Sequence, residues 1–84
     1  MTVFITKRIS TRTRRLLSAY NAEVSLGVYV GYHNEGMYMR ILKWLRKNIK
    51  GNEKILILRP DKSWIGFSDE YFNWESQAVY LDGV

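Results

Sequence analysis

Three arginines lie within four residues near the start of the chain, at Arg12, Arg14 and Arg15. Each guanidinium group presents several donors in a planar fork that fits the oxygens of a phosphate. The three residues fall in the first turn of a predicted helix, where the helix dipole disfavours cations. Because this local rule is broken three times, either an anion is bound here or the three side chains point into solvent at a small cost. We favour the anion and predict that the arginines bind phosphate.

A second basic stripe follows in the middle of the sequence. Arg40, Lys43 and Lys47 recur at spacings of three and four within a predicted helix over 37–50, and the stripe continues to Lys50. Such spacing places the side chains on one face of a helix. A solvated helix face has the same pattern, so the stripe is a weaker candidate for nucleic-acid binding than the arginine cluster.

The charge of the chain is divided unevenly. Residues 1–50 contain ten Lys or Arg and two acids, which gives +8, whereas residues 51–84 contain three Lys or Arg and six acids, which gives −3. This asymmetry predicts one basic face and one neutral or acidic face. A basic face is typical of a protein that binds nucleic acid.

The residue types of common active sites are sparse. Cysteine is absent, which excludes disulfides, thiolate metal sites and cysteine nucleophiles. His33 is the only histidine, and Asp69-Glu70 is the only adjacent acidic pair. We therefore predict no catalytic residues, no metal ligands and no cofactor. No apolar run approaches the roughly 20 residues of a membrane span and no signal peptide is evident, so we expect a cytoplasmic protein.

The strands that must position these cations are predicted by runs of β-branched, aromatic and aliphatic residues. They lie at 2–7, 27–31, 55–58 and 64–68, with a short last strand at 78–81. The strand at 27–31 should be central in the sheet. The acidic and aromatic residues 69–77 lack periodicity and are predicted to form a loop.

Two helices are predicted from periodic apolar residues. The first begins after an N-cap at Ser10 or Thr11 and ends near Ser25. Its apolar stripe consists of Thr13, Leu17, Tyr20 and Val24. The second is the helix over 37–50 that carries the basic stripe. The resulting order is β-α-β-α-β-β, and the predicted fold is α+β with one mainly antiparallel sheet and two helices on one face. It is a variant of the ferredoxin-like sandwich, in one domain over 1–84.

From Ile9 to Gly31 the sequence resembles the type I-E branch of a CRISPR-associated family, CRISPR-associated protein two ("Cas-two"). The motifs that carry the resemblance are the arginine pair at Arg12 and Arg14, the helix that contains Glu23-Val24, and the GVYVG run at 27–31. Gly51-Asn52 before the predicted hairpin and the V-x-L-D-G pattern at 79–83 extend it over most of the chain.

The resemblance implies a ferredoxin-like homodimer between two dimers of the CRISPR integrase ("Cas-one"). Together they hold a duplex of foreign DNA and insert it into the CRISPR array. Arg12 and Arg14 match the family's contacts to the duplex phosphates. We add Arg15 to the predicted DNA-binding residues because it lies in the same turn. A secondary DNA-binding surface is predicted at Arg40, Lys43 and Lys47.

The sequence also departs from the family pattern. An acid that binds a divalent metal at the end of the first strand is linked to nuclease activity in the family, whereas this chain has Thr6-Lys7-Arg8 there. A second arginine pair before V-x-L-D-G is replaced by Glu75-Ser76. The family pattern continues beyond the point where this sequence ends at Val84. The chain is therefore either a short member or the N-terminal part of a longer protein.

Three hypotheses remain open from the sequence. The favoured one is a non-catalytic DNA-binding adaptor in spacer acquisition. The second is a small metal-dependent endonuclease of the same family, which would require magnesium. The third is an interaction protein that mimics the adaptor and occupies its surface on the integrase.

Overall fold

The computed structural model describes residues 1–60 and 67–72, which form five strands and two helices. The elements are β1 (Thr2–Lys7), α1 (Thr11–Tyr20), β2 (Ala22–Ser25), β3 (Val28–Gly31), α2 (Glu35–Asn48), β4 (Lys54–Pro60) and β5 (Phe67–Phe72). The predicted fold class is confirmed: the protein is α+β, with two helices on one antiparallel sheet.

The strands form a single sheet in the order β2-β3-β1-β4-β5, and all neighbours are antiparallel. On β1, Phe4 is opposite Tyr29 of β3 and Ile57 of β4, so the three side chains share one face. They form one buried cluster with Leu17 of α1 and Leu45 of α2. Both helices therefore pack on the same face of the sheet. The central strand is β1 and not, as predicted, the strand at 27–31, which forms β3 and lies between β1 and the edge strand β2.

The structure corrects the end of the first helix. The helix ends at Tyr20 and not near Ser25, because Asn21 turns the chain and its side-chain amide donates to the Leu17 carbonyl at 2.8 Å. The next four residues form the edge strand β2, on which Val24 is exposed. The element order of the described residues is therefore β-α-β-β-α-β-β, which adds the strand β2 to the predicted β-α-β-α-β-β order. The ferredoxin-like order β-α-β-β-α-β has two consecutive strands between its helices, and β2 and β3 are these two strands.

The strand after β4 is also shifted from its predicted position. It spans Phe67–Phe72 and pairs with β4 from Pro60 back to Ile55. The predicted hairpin is present, but its second strand was predicted at 64–68 and lies at Phe67–Phe72. Part of the predicted loop over 69–77 is strand. The predicted last strand at 78–81 lies outside the described residues.

The second helix begins two residues before its predicted start, because Asn34 caps it by accepting from the Met37 amide at 2.8 Å. On its apolar face Ile41 and Leu45 are buried, and Tyr38 joins them in the core. Among the described residues, no helix combines the length and apolar character that are needed to cross a bilayer.

The opposite face of the sheet is also apolar. Val3 of β1 is paired with Val30 of β3 and Leu58 of β4, and Ile5 with Val28. All five side chains are only partly buried. This face therefore still exposes apolar surface on the side of the sheet that lies away from the helices.

Candidate nucleic-acid interface

The start of α1 is held by a buried carboxylate, Glu53, which is 2% exposed. One of its oxygens accepts from the Ser10 amide at 3.0 Å and from the Thr13 hydroxyl at 2.6 Å. The other accepts from the Lys50 amide at 3.0 Å. Burial raises the pKa of Glu53, but the hydrogen bonds outweigh it and the net pKa is below the ordinary value of 4.5.

This arrangement corrects part of the sequence-based argument. Glu53 already places a negative charge at the start of α1, and Ser10 caps the helix by accepting from the Thr13 amide at 3.1 Å. The helix dipole is thereby compensated from inside the fold. Phosphate binding at this point must therefore depend on the arginine side chains and not on the helix end.

Arg12 extends from α1 toward α2. Its guanidinium carbon is 5.5 Å from the centroid of the Trp44 ring, within the range of a cation–π contact. Arg12 is exposed, and Trp44 is half-buried. The aromatic ring therefore supports the guanidinium group at the surface without neutralising its charge.

Arg14 extends to the other side of α1. Its Nη1 atom lies 3.2 Å from Glu23 Oε2 on β2 and 3.2 Å from the Tyr29 hydroxyl on β3. The side chain is nevertheless 43% exposed. Burial raises the pKa of Tyr29, so its hydroxyl remains neutral beside the arginine. Arg14 is thus both a link between the helix and the sheet edge and a surface cation.

Arg15 is exposed on the outer surface of α1. Successive residues of an α-helix are rotated by about 100°, and Thr13 and Leu17 are the buried positions of this helix. Arg12 and Arg14 therefore lie on the two flanks of α1, with Arg15 between them on the outside. The three predicted arginines form a fan over the exposed half of the helix, which we call the arginine fan.

The basic residues of α2 are also at the surface: Arg40, Lys43 and Lys47 are all exposed. Arg40 precedes Trp44 by four residues and Lys47 follows it by three, so both share its face of the helix. Because Trp44 contacts Arg12, this face of α2 adjoins the arginine fan. The structure thus brings five of the six predicted binding residues to one side of the molecule, with Arg14 at its edge.

A small cleft of about 180 Å³ separates α1 from α2 on this side. Its lining residues are Leu16, Tyr20, Met37, Arg40, Ile41 and Trp44. Ligand and cofactor pockets are typically about 300–1,000 Å³ in volume. The cleft is smaller than this range and does not suit a cofactor. The candidate interface is instead the charged outer surface of the two helices, where the predicted cations are exposed.

Other cations serve the fold. Arg59 of β4 donates to Glu35 at the start of α2 at 2.8 Å, and its guanidinium carbon is 3.7 Å from the Tyr38 ring centroid. Arg59 lies within β4, one residue beyond the end of the predicted strand at 55–58. The hydrogen bond to Glu35 raises the pKa of Arg59 further. Its charge is therefore committed to the packing of α2 on the sheet.

A comparison with family models decides the kinship of the chain. The model described as CRISPR-associated protein (Cas_Cas2CT1978) matches residues 1–84. The chain belongs to this family. No curated protein matched the sequence in a second comparison.

Acidic and histidine side chains that could bind a metal ion are sparse in the described part of this CRISPR-associated chain. Within residues 1–60 and 67–72, no group of three or more His, Asp or Glu side chains could hold a metal ion. The end of β1 carries Lys7, which is exposed. His33 lies 3.2 Å from the Tyr20 carbonyl through its Nε2 atom.

Sequence reasoning missed four residues that organise this surface of the CRISPR-associated chain: Glu53, Glu23, Tyr29 and Trp44. Glu53 lies 40 residues or more from the groups it binds on α1, and no local pattern connects them. Glu23 was predicted to lie in the first helix, where its side chain would be too far along the helix from Arg14 to pair with it. The two meet because β2 runs back beside α1. For Trp44, the signal was its position between Arg40 and Lys47 on one helix face.

Proposed function

We propose that this chain is a DNA-binding adaptor of CRISPR spacer acquisition, as in the type I-E branch of its family. In this proposal a homodimer holds duplex DNA by its phosphates and bridges two dimers of the integrase. The observation that carries the proposal is the arginine fan of Arg12, Arg14 and Arg15 beside the basic face of α2.

The fan suits a polyanionic backbone better than a small anion. Its three guanidinium groups diverge around the helix and do not converge on one point, as a single phosphate would require. A duplex carries one negative charge per about 1.7 Å of its axis, so several phosphates can meet divergent cations at once. Contacts of this kind fix the position of a duplex without selecting a sequence.

The face of α2 extends this surface. Arg40 and Lys47 are seven residues apart, which corresponds to about 10 Å along a helix that rises 1.5 Å per residue. Together with Lys43 they continue the positive charge beyond Arg12. Long-range attraction by such a surface would increase the rate at which duplexes are captured.

The homodimer of the proposal has a candidate interface on the second face of the sheet. Val3, Ile5, Val28, Val30 and Leu58 form an apolar layer that the single chain buries only in part. A second copy of the chain packed on this layer would remove it from water, at about 25 cal/mol for each Å² buried. The helices and their basic residues would then lie on the outer sides of the dimer.

The proposal is tested by fluorescence anisotropy with a labelled duplex of arbitrary sequence, measured from 50 to 200 mM salt. We expect binding that weakens steeply as salt rises, because counterions are released from the phosphates. In the Arg12→Ala, Arg14→Ala double variant, the affinity should fall by roughly tenfold or more and the slope of log Kd against log salt should decrease in magnitude by about 1–2, because Arg14 is partly paired with Glu23.

The matched control is the Arg12→Lys, Arg14→Lys variant, which keeps both charges but loses both planar forks. It should retain most of the salt slope and lose part of the affinity. Unchanged binding in the double alanine variant, with the fold intact by circular dichroism, would refute the assignment of these arginines to DNA.

The proposed partner is tested separately by mixing the chain with integrase and measuring the mass of the complex by light scattering. We expect two copies of this chain with four integrase chains. An integrase complex that forms when the chain itself binds no duplex would support the mimic hypothesis instead.

A further inference from the structure

Arg14 differs from its two neighbours because it already has an anionic partner. Its Nη1 atom donates to Glu23 Oε2 and to the Tyr29 hydroxyl, each at 3.2 Å. Arg12 contacts an aromatic ring, and Arg15 is exposed. Within residues 1–60 and 67–72, Arg14 is therefore the one of the three arginines whose charge a carboxylate partly neutralises.

Glu23 does not depend on Arg14 for its position. The same Oε2 atom accepts from the Gly27 amide at 2.9 Å, in the turn between β2 and β3. Gly27 has a φ of +77°, which fixes this turn, and its carbonyl accepts from the Thr6 amide of β1 at 2.8 Å. Glu23 also lies opposite Tyr29 in the pairing of β2 with β3. The carboxylate is thus anchored beside the arginine by the sheet itself.

We propose that Glu23 is an affinity-determining residue of the DNA interface, which competes with a phosphate for Arg14. This inference rests on the proposed function, because it assumes that Arg14 contacts DNA. A phosphate that approaches Arg14 meets the fixed negative charge of Glu23 on the same flank of α1. Arg12 and Arg15 then bind the backbone freely, whereas Arg14 binds it only when the phosphate displaces or outcompetes Glu23.

The consequence is a weaker and more reversible grip than three free arginines would give. An adaptor must release its duplex after integration, and a competing carboxylate keeps the bound state from becoming too stable. The Arg14 side chain is 43% exposed, so a phosphate can still approach it. Arg14 can therefore contact a phosphate, but only in competition with Glu23.

The test uses Glu23→Gln, because glutamine keeps an oxygen that can accept from the Gly27 amide and from Arg14 but carries no charge. The matched control is Glu35→Gln, which removes a carboxylate that is 68% exposed and paired with Arg59 at the start of α2. Both variants change the net charge by the same amount. Only the first one changes the surroundings of Arg14.

In the anisotropy assay with the full chain, Glu23→Gln should increase the duplex affinity about 3- to 10-fold at low salt and steepen the salt slope by up to about 1. Glu35→Gln should remain within twofold of the wild type. In an Arg14→Gln background, Glu23→Gln should leave the salt slope unchanged, because no additional phosphate contact can form. Glu23→Ser carries the same expectations, should the glutamine variant fold poorly.

An affinity of Glu23→Gln equal to or below that of the wild type would overturn the inference, as would an equal gain in Glu35→Gln. These outcomes differ from a failure of the proposed function. In that case the wild type would not bind the duplex, or the Arg12→Ala, Arg14→Ala variant would bind as well as the wild type.

Discussion

The buried start of α1 and its exposed outer half differ in how their charged groups are placed. At the start, the Glu53 carboxylate is fully enclosed and bonded to Ser10, Thr13 and Lys50. On the outer half, Arg12 and Arg15 are exposed, and neither makes an ion pair with a carboxylate in the described part of the chain. The charge of the first region is used within the fold, whereas the charge of the second region remains at the surface.

The difference teaches how to separate structural from functional charge in a small protein. A buried charge that is fully hydrogen-bonded stabilises one conformation, and its removal leaves polar groups unsatisfied. An exposed cation adds little stability, since even surface ion pairs contribute only about 0–1 kcal/mol. The two regions should therefore respond to substitution in opposite assays, which are unfolding for the first and DNA binding for the second.

The largest expected effect is in the buried region. Glu53→Ala should lower the free energy of unfolding by about 3–5 kcal/mol, because it leaves the groups around Glu53 without an acceptor. Chemical denaturation followed by tryptophan fluorescence measures this loss. A loss below about 1 kcal/mol would contradict the structural role of the carboxylate.

The pH dependence of unfolding sharpens the same point. The pKa of Glu53 is lowered in the folded state, so its stabilisation is complete above the ordinary pKa of 4.5 and is lost as the pH falls through the folded-state pKa. In Glu53→Gln, which serves as the control, the decline of stability below pH 4.5 should be shallower than in the wild type. An identical decline in the two proteins would contradict the assignment.

A smaller effect on stability is expected at Gly31, the last residue of β3. A Cβ atom at this position would overlap the Asn21 side chain that ends α1, and it would lie 2.7 Å from His33 Nε2. Gly31→Ala should therefore cost about 1–2 kcal/mol, because the Asn21 and His33 side chains that must move are hydrogen-bonded to the Leu17 and Tyr20 carbonyls. Gly51→Ala is the matched control, since a Cβ there meets nothing within 4 Å. Equal stability of the two variants would show that the neighbours of Gly31 yield without cost.

Much of this fold could be predicted from local patterns. The strand at 2–7, the Ser10 cap, the aliphatic strand and the basic amphipathic helix all follow from residue types and periodicity. The end of α1 could not, because Val24 continues the helical period. What ends the helix there is pairing with β3 and the turn at Gly27, and these contacts are not visible in a local window.

The basic surface could be predicted from residue types and spacing, but its internal contacts could not. The arginines were recognised by their number and spacing, and five of the six predicted residues lie on one side of the molecule. The pairing of Arg14 with Glu23 and Tyr29 could not be predicted. It depends on the edge strand β2, whose residues were predicted to be part of the first helix. Glu53 was missed because its hydrogen bonds to α1 join residues 40 or more positions apart.

The central claim is that the exposed cations of the two helices serve DNA binding and not folding. Its most direct test is the salt dependence of duplex binding by the Arg12→Gln, Arg15→Gln, Arg40→Gln triple variant, in which stability should change by less than about 1 kcal/mol. We predict that the slope of log Kd against log salt decreases in magnitude by about 2–3 relative to the wild type. A folded triple variant with the affinity and slope of the wild type would contradict the claim.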